Sequence, residues 1–183
     1  MRIDAKFEKV SFEQFKKDYV DTFFPDYLKA SDCEIGMINR EIQECYDSIR
    51  LPRRSTRGSA GYDFFSPYSL RIEHGDNVKI PTGIKCSIPD GWVLQIYPRS
   101  SYGFKYGVEL SNTIGIIDSD YYDNENNEGH IFCKFTNKDS TVRKDLKIND
   151  GDAFCQGIFV QYGTTVDDDA DGKRVGGIGS TSK

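Results

Sequence analysis

Residues 78–97 read VKIPTGIKCSIPDGWVLQIY. Two apolar stretches, 78–84 and 92–97, flank the turn triplet Pro89-Asp90-Gly91. Short runs rich in β-branched and aromatic residues, separated by turn residues, predict strands. The pattern recurs at 130–136 (HIFCKFT) and at 153–162 (AFCQGIFVQY), and Asn149-Asp150-Gly151 supplies another turn. From Ala60 onward the chain is therefore expected to be mainly β, as a sandwich, barrel or jelly roll.

Upstream of that region the period changes. Residues 1 to about 50 read as a helical extension. Ser11 with Gln14 fits a capping box, and Phe12, Phe15 and Tyr19 follow at helical spacing. Ser31 with Glu34 repeats the signature. Ile35, Ile38, Ile42, Cys45 and Ile49 then share one face of a helix that must end near Pro52. Such stripes are expected to pack on the main domain or on a neighbouring subunit, with partner binding the alternative. The basic run Arg50, Arg53, Arg54 and Arg57 reads as a solvated connector. From about Asp167 the chain is acidic and then glycine-rich, the composition of a flexible arm.

Composition excludes several classes. With 183 residues, 37% of them hydrophobic, the chain can bury one substantial core. No apolar run is long enough to span a bilayer, and MRIDAKFEKV lacks the apolar core of a secretory signal, so a cytoplasmic protein is expected. Five cysteines without a CxxC pair, and only two histidines, speak against a zinc site or a disulfide framework. A net charge of −5 argues against a broad nucleic-acid surface but leaves room for a small phosphate ligand.

Five segments carry candidate chemistry. Ala60-Gly61-Tyr62-Asp63-Phe64 offers a carboxylate after a glycine, which as a local feature is also an ordinary turn aspartate. Tyr97-Pro98-Arg99-Ser100-Ser101-Tyr102-Gly103 combines a guanidinium fork with hydroxyls suited to phosphate oxygens, and the alternative is a strand end with a salt-bridged arginine. Asn112-Thr113-Ile114-Gly115-Ile116-Ile117-Asp118-Ser119-Asp120-Tyr121 places two carboxylates after an apolar run at a hairpin, where one can orient a water as general base. An EF-hand starting at Asp118 fails, because loop position 5 is Tyr122 and position 6 is Asp123, not glycine. Gly151-Asp152-Ala153-Phe154-Cys155-Gln156 contains one polar handle, Gln156, within an apolar strand. Lys173-Arg174-Val175-Gly176-Gly177-Ile178-Gly179-Ser180-Thr181 pairs cations with glycines and hydroxyls that suit an anion, and it is not a P-loop.

Taken in order, these segments resemble the five motifs of the trimeric dUTPase family, over roughly residues 50 to 183. The resemblance implies a jelly-roll (β-clip, dUTPase-like) domain over 51–166, preceded by the helical extension 1–50 and followed by an arm, 167–183, that closes over a neighbouring subunit's site. It implies a homotrimer hydrolysing dUTP to dUMP and pyrophosphate with Mg2+. By the same resemblance Asp118 is the catalytic base, and Asp63 holds waters of the metal ion. Arg99, Ser100, Ser101 and Gln156 are phosphate contacts, with Asn112, Gly115 and Ile117 in the hairpin that meets uracil. Tyr121 packs under the deoxyribose and leaves no room for a 2′-hydroxyl, while Lys173, Arg174, Ile178, Gly179, Ser180 and Thr181 belong to the closing arm.

That assignment suits the chemistry, since phosphoanhydride cleavage needs a positioned water and neutralised charge more than covalent catalysis. The sequence also departs from the family pattern. Ser101-Tyr102 replaces Gly-Leu, Ala153 stands where an arginine is common, and Ile178 replaces a phenylalanine that stacks on uracil. Either Lys173 or Arg174 fills the arm's arginine position. Two alternatives remain in view at this stage. One is a dCTP deaminase on the same fold, although Phe104 stands where that family resembles Arg. The other is a regulatory member that binds a protein partner through the extension.

Overall fold

The computed structural model describes residues 2–138, 143–172, 174 and 176. Its strands, in chain order, are β1 (Lys6–Lys9), β2 (Tyr62–Phe65), β3 (Leu70–Ile72), β4 (Asn77–Pro81), β5 (Ile84–Ser87), β6 (Trp92–Pro98), β7 (Val108–Leu110), β8 (Gly115–Ile117), β9 (Phe132–Asn137), β10 (Leu146–Ile148) and β11 (Ala153–Gln161). The main sheet runs β2-β11-β6-β8 and a second runs β4-β9-β7, with the pairs β1-β5 and β3-β10 beside them. Every pairing is antiparallel. Fully buried Phe64, Leu94, Ile96, Phe135, Ile148 and Phe154 form the core, and the mainly β architecture is the one expected.

Two helices, α1 (Phe12–Phe23) and α2 (Asp32–Ser48), lie between β1 and β2. Ser31 and Glu34 close a full capping box on α2. At α1 the reciprocal arm differs from the expected one. The Ser11 hydroxyl accepts from the Gln14 N–H at 3.1 Å, but the Gln14 amide turns to Asp18. Glu128, far along the chain, takes the Ser11 N–H instead, at 2.8 Å. Phe15 and Tyr19 of α1, and Ile42, Cys45 and Ile49 at and beyond the end of α2, join the same buried cluster as the strands. The extension is therefore part of the core.

Its first residues correct the helical reading. Lys6–Lys9 form β1 against β5, and the Phe7 ring meets Phe64 edge-on at 5.6 Å. A four-residue strand owes its conformation to its partner edge, which no local period records. The stretch 78–84 likewise divides, because Gly83 adopts φ +72 between β4 and β5. Arg50 and Arg53 of the basic run lie over the Phe65 ring, at 4.6 and 5.5 Å.

Gly83 is the joint between helices and sheets. Its carbonyl accepts from Val10 at 3.0 Å, and its N–H donates to His130 Nε2 at 2.7 Å. A Cβ at Gly83 would lie 2.3 Å from Ile49 Cδ1. Because Nε2 accepts, the proton of the neutral ring sits on Nδ1, 2.6 Å from Asp18 Oδ2. His130 is fully buried, and burial lowers its pKa; Asp18 and Glu128 oppose that shift, and Lys79 adds to it. Its folded pKa lies below the unfolded value of about 6.5, so the unfolded chain takes up the proton first. Stability is then full above pH about 6.5 and falls as pH drops toward the folded value. Melting temperatures from pH 8 down to pH 5 should show this loss in the native chain (pH values roughly bracketing the ordinary His range) and a flatter profile in His130→Gln. Parallel profiles would show that His130 does not carry it.

Candidate functional site

The register of the main sheet builds the first half of the site. Asp63 on β2 pairs with Gln156 on β11, which pairs with Tyr97 on β6. Residues in one row of an antiparallel sheet project from the same face, so Asp63 and Gln156 stand side by side. They line an open cavity of about 360 Å³ together with Ser55, Gly61, Arg99 and Ser100. The Ser55 hydroxyl donates to Asp63 at 2.5 Å, and Arg99 reaches the Ala153 carbonyl at 3.3 Å. Gly61 is required by close approach, since a Cβ there would lie 2.5 Å from Gln156 Oε1. After Pro98 the chain enters a short helix, α3 (Ser100–Tyr106), that Gly107 closes at φ 64. Ser101 sits in that helix and does not line the cavity.

The second half lies on the β7–β8 connection. Asn112 is exposed in a tight turn in which Thr113 takes φ 67. Gly115 and Ile117 bound β8, and a Cβ on Gly115 would lie 3.0 Å from Ile96 Cβ. Asp118 follows, half-buried, and leads into a single 3₁₀ turn at Ser119–Tyr121. Tyr121 is buried, and its hydroxyl donates to the His130 carbonyl and accepts from Asn127 Nδ2, each at 2.8 Å. Burial raises the Tyr121 pKa, partly offset by the Asn127 bond. Arg174 spans both carboxylates, with Nη2 2.6 Å from Asp118 and Nε 2.8 Å from Asp120. Its guanidinium lies 5.6 Å from the Tyr121 ring centre.

These halves stand at opposite ends of β6. Ile117 pairs with Leu94, so Asp118 lies beyond the start of that pairing, whereas Arg99 follows the far end of β6. Six strand positions at about 3.3 Å each separate them, about 20 Å in all. One chain thus groups Asp63, Arg99, Ser100 and Gln156 in one place and Asn112, Gly115, Ile117, Asp118, Tyr121 and Arg174 in another. Lys173, Ile178, Gly179, Ser180 and Thr181 lie outside the described residues.

Among the described residues no three His, Cys, Asp or Glu side chains converge as a metal cage. The cavity instead offers one carboxylate, Asp63, beside hydroxyls and a guanidinium. That donor set fits Mg2+ held through its waters and a ligand's phosphates, the way this ion is commonly bound. The sequence reading names Asp120 only as the second carboxylate of the hairpin, with no role of its own, and it missed Ser55, Asn127 and His130, which act through contacts that folding creates.

An arginine, serines, a glutamine and a carboxylate around one cavity, with a second carboxylate at a hairpin, are the donor types that suit phosphate oxygens and a bound cation. A family model described as dUTPase matches residues 47–182. The deoxyuridine 5'-triphosphate nucleotidohydrolase of Lactococcus lactis is 39% identical over 135 residues, 73% of this chain and 88% of that protein. That of Corynebacterium diphtheriae is 37% identical over 126 residues, 69% of this chain and 77% of its own. Among solved structures, the dUTPase of Streptococcus mutans aligns with TM-score 0.57 and 38% identity, over 65% of this chain and 90% of that one. The dUTPase of phage phi11 of S. aureus shares the fold, with TM-score 0.55 and 23% identity over 69% of this chain and 92% of its own. The chain belongs to the dUTPase family of hydrolases.

Gly61→Ala tests the cavity. The added methyl must push the Gln156 amide aside, and a lost hydrogen bond to a charged phosphate should weaken nucleoside triphosphate binding by roughly tenfold or more. Calorimetric titration should show that loss with little change in melting temperature. Unchanged affinity would remove Gln156 from the phosphate contacts.

Proposed function

We propose that the chain hydrolyses dUTP to dUMP and pyrophosphate at sites completed between copies of itself. The observation that carries this reading is the separation of Asp118 from Arg99 along β6. A water that attacks a phosphorus must lie within about 3 Å of its base, close to the groups that hold that phosphate. Asp118 and Arg99 of one chain are about 20 Å apart by the strand rise and cannot meet that condition. The Asp118 of one subunit facing the cavity of another can. A ring of identical subunits satisfies this head-to-tail relation, and a homotrimer is the form we propose.

In this reading Asp118 orients the water and takes its proton as attack on the α-phosphorus begins. Arg99, Ser100 and Gln156 hold phosphate oxygens and stabilise the charge that develops. Bound Mg2+ would neutralise charge on the triphosphate, with Asp63 holding its waters; the phage phi11 relative has a structural Mg(II) ion. The hairpin from Val108 to Tyr121 meets the uracil edge, with Asn112, Gly115 and Ile117 within it. The Tyr121 ring packs under the sugar and leaves no space for a 2′-hydroxyl. A triphosphate would compete with Asp118 and Asp120 for Arg174, whose planar fork suits phosphate as well as carboxylate. The arm beyond it would close over a neighbour's nucleotide.

Pyrophosphate release from dUTP, dCTP, dTTP and UTP with Mg2+ tests the reaction. Release from dUTP, with kcat lower by at least roughly a hundredfold in Asp118→Asn, is expected, because an amide cannot accept the proton. Near-normal turnover in that variant would sink the role of Asp118. Composite sites are tested by mixing. Asp118→Asn and Arg99→Ala subunits, each poorly active alone, should recover activity when reassembled together. No recovery, with mixed oligomers shown to form, would place each site within one subunit.

A further inference from the structure

We propose that the N-terminal segment, β1 and α1, is a clamp that positions Tyr121 and thereby sets the discrimination between 2′-deoxy and 2′-hydroxy nucleotides. The proposal rests on the reading of Tyr121 as the residue under the sugar. The family match begins at residue 47, so the clamping residues lie outside it.

The loop after Tyr121 belongs to no strand or helix; it is closed by turns of its own, such as Asp123 N–H to the Glu128 carbonyl and Glu128 N–H to the Asn124 carbonyl. Asp123, Glu128 and Gly129 all take positive φ, at 53, 56 and 77. Left-handed backbone is disfavoured by the Cβ, for Glu128 more than for Asp123, and persists where the surroundings support it. The N-terminal segment supplies those surroundings. Glu8 on β1 accepts from the Tyr122 hydroxyl. Ser11, the cap of α1, donates its N–H and its hydroxyl to the two Glu128 oxygens at 2.8 and 2.5 Å. Asp18 on α1 takes the Nδ1 proton of buried His130 at 2.6 Å. Burial works to raise the Glu128 pKa, but the Ser11 bonds and Lys85 outweigh it and leave the carboxyl below its ordinary value, so this tie is a charged one.

The loop passes that restraint to Tyr121. The His130 carbonyl and Asn127 Nδ2 hold the phenol oxygen at 2.8 Å each, and Asn124 Nδ2 holds the Tyr121 carbonyl at 2.8 Å. Gly129 packs so closely that a Cβ would lie 2.6 Å from the Tyr121 carbonyl oxygen. The phenol end is thus held by His130, which Asp18 of α1 holds in turn. The carbonyl end is held by Asn124, which lies in the loop between Tyr122 and Glu128, the two residues that β1 and the cap of α1 engage. A sugar platform excludes one hydroxyl only if it cannot yield by a fraction of an ångström, so a loosened ring would admit the ribose while still supporting the deoxyribose. Asp18, Ser11 and Glu8 are positioning residues and touch no substrate in this scheme.

The experiment compares kcat/KM for dUTP and UTP in the full-length protein. Asp18→Ala and Ser11→Ala should each lower the dUTP:UTP ratio by roughly tenfold, mainly by raising turnover of UTP, with kcat for dUTP within a few-fold of native. Tyr121→Phe, which removes only the anchored oxygen, should likewise lower the dUTP:UTP ratio, and Asp18→Asn, which keeps an acceptor for Nδ1–H, should restore most of the ratio. Ile42→Val, a core loss in α2 away from the loop, controls for general destabilisation and should leave the ratio unchanged. Hydrogen exchange of the amides from Tyr121 to His130 should speed up in Asp18→Ala and Ser11→Ala and not in Ile42→Val. The clamp is overturned if the ratio and the exchange stay native in the Asp18 and Ser11 variants. It is also overturned if Ile42→Val shifts both equally. Tyr121→Ala separates the two ideas. If it leaves the ratio intact, the sugar-facing role of Tyr121 is wrong; if it collapses the ratio while the Asp18 and Ser11 variants do not, only the clamp is wrong.

Discussion

Strand β6 is the constraint from which the function follows. It lies inside the main sheet, bonded along its length to β11 and near its start to β8, so its seven residues fix a distance that no side chain can shorten. Arg99 leaves one end, and β8 delivers Asp118 to the other. The buried rows beneath, Leu94 and Ile96 against Gly157 and Gly115, leave the strands no freedom to slide. A register slip of one residue would turn Asp63 and Gln156 away from the cavity and drive core residues into solvent. The placement of these side chains is thus a consequence of core packing, and in the proposed mechanism the need for a second subunit would follow from strand length.

A second joint ties the helices to this frame. The Gly83 carbonyl receives Val10, its N–H meets His130, and Ile49 fills the space a side chain would need. The neutral imidazole accepts from the sheet and donates to α1, so one buried ring satisfies polar groups of two units at once. Such a ring is costly to disturb, because loss of either partner strands a polar group in the core.

Much of this was legible in the sequence, for physical reasons that differ by element. Strands such as β6 and β11 announce themselves because they are rich in β-branched and aromatic residues, interrupted by few polar side chains, and bounded by turn residues. The box at Ser31 and Glu34 is legible because its partners are three residues apart. Three-residue strands such as β3, β7 and β10 carry too few side chains for a period, and β1 exists only where β5 offers an edge. The site divides in the same way. Asp118, Arg99 and Asp63 stand out as chemical types in ordered motifs. That Asp18 would meet His130, 112 residues away, has no local trace, and Gln14 was the natural local partner for Ser11 until Glu128 displaced it.

The two carboxylates at the hairpin show why the arm matters. Asp118 and Asp120 stand close enough to share one guanidinium, and without it their like charges would repel each other and an approaching anionic substrate. Arg174 relieves both effects, and in the proposed mechanism it also holds one of the two oxygens of the base, Oδ2 of Asp118. The same side chain therefore steadies the hairpin and would have to release that oxygen for the whole carboxylate to face the water. A triphosphate is the ligand that can draw it away, because phosphate oxygens accept the same planar fork and carry more charge than either carboxylate. Exchange of Arg174 from carboxylate to phosphate would free the base only when the nucleotide is present, which links closure of the arm to readiness of the water in a single ion-pair exchange.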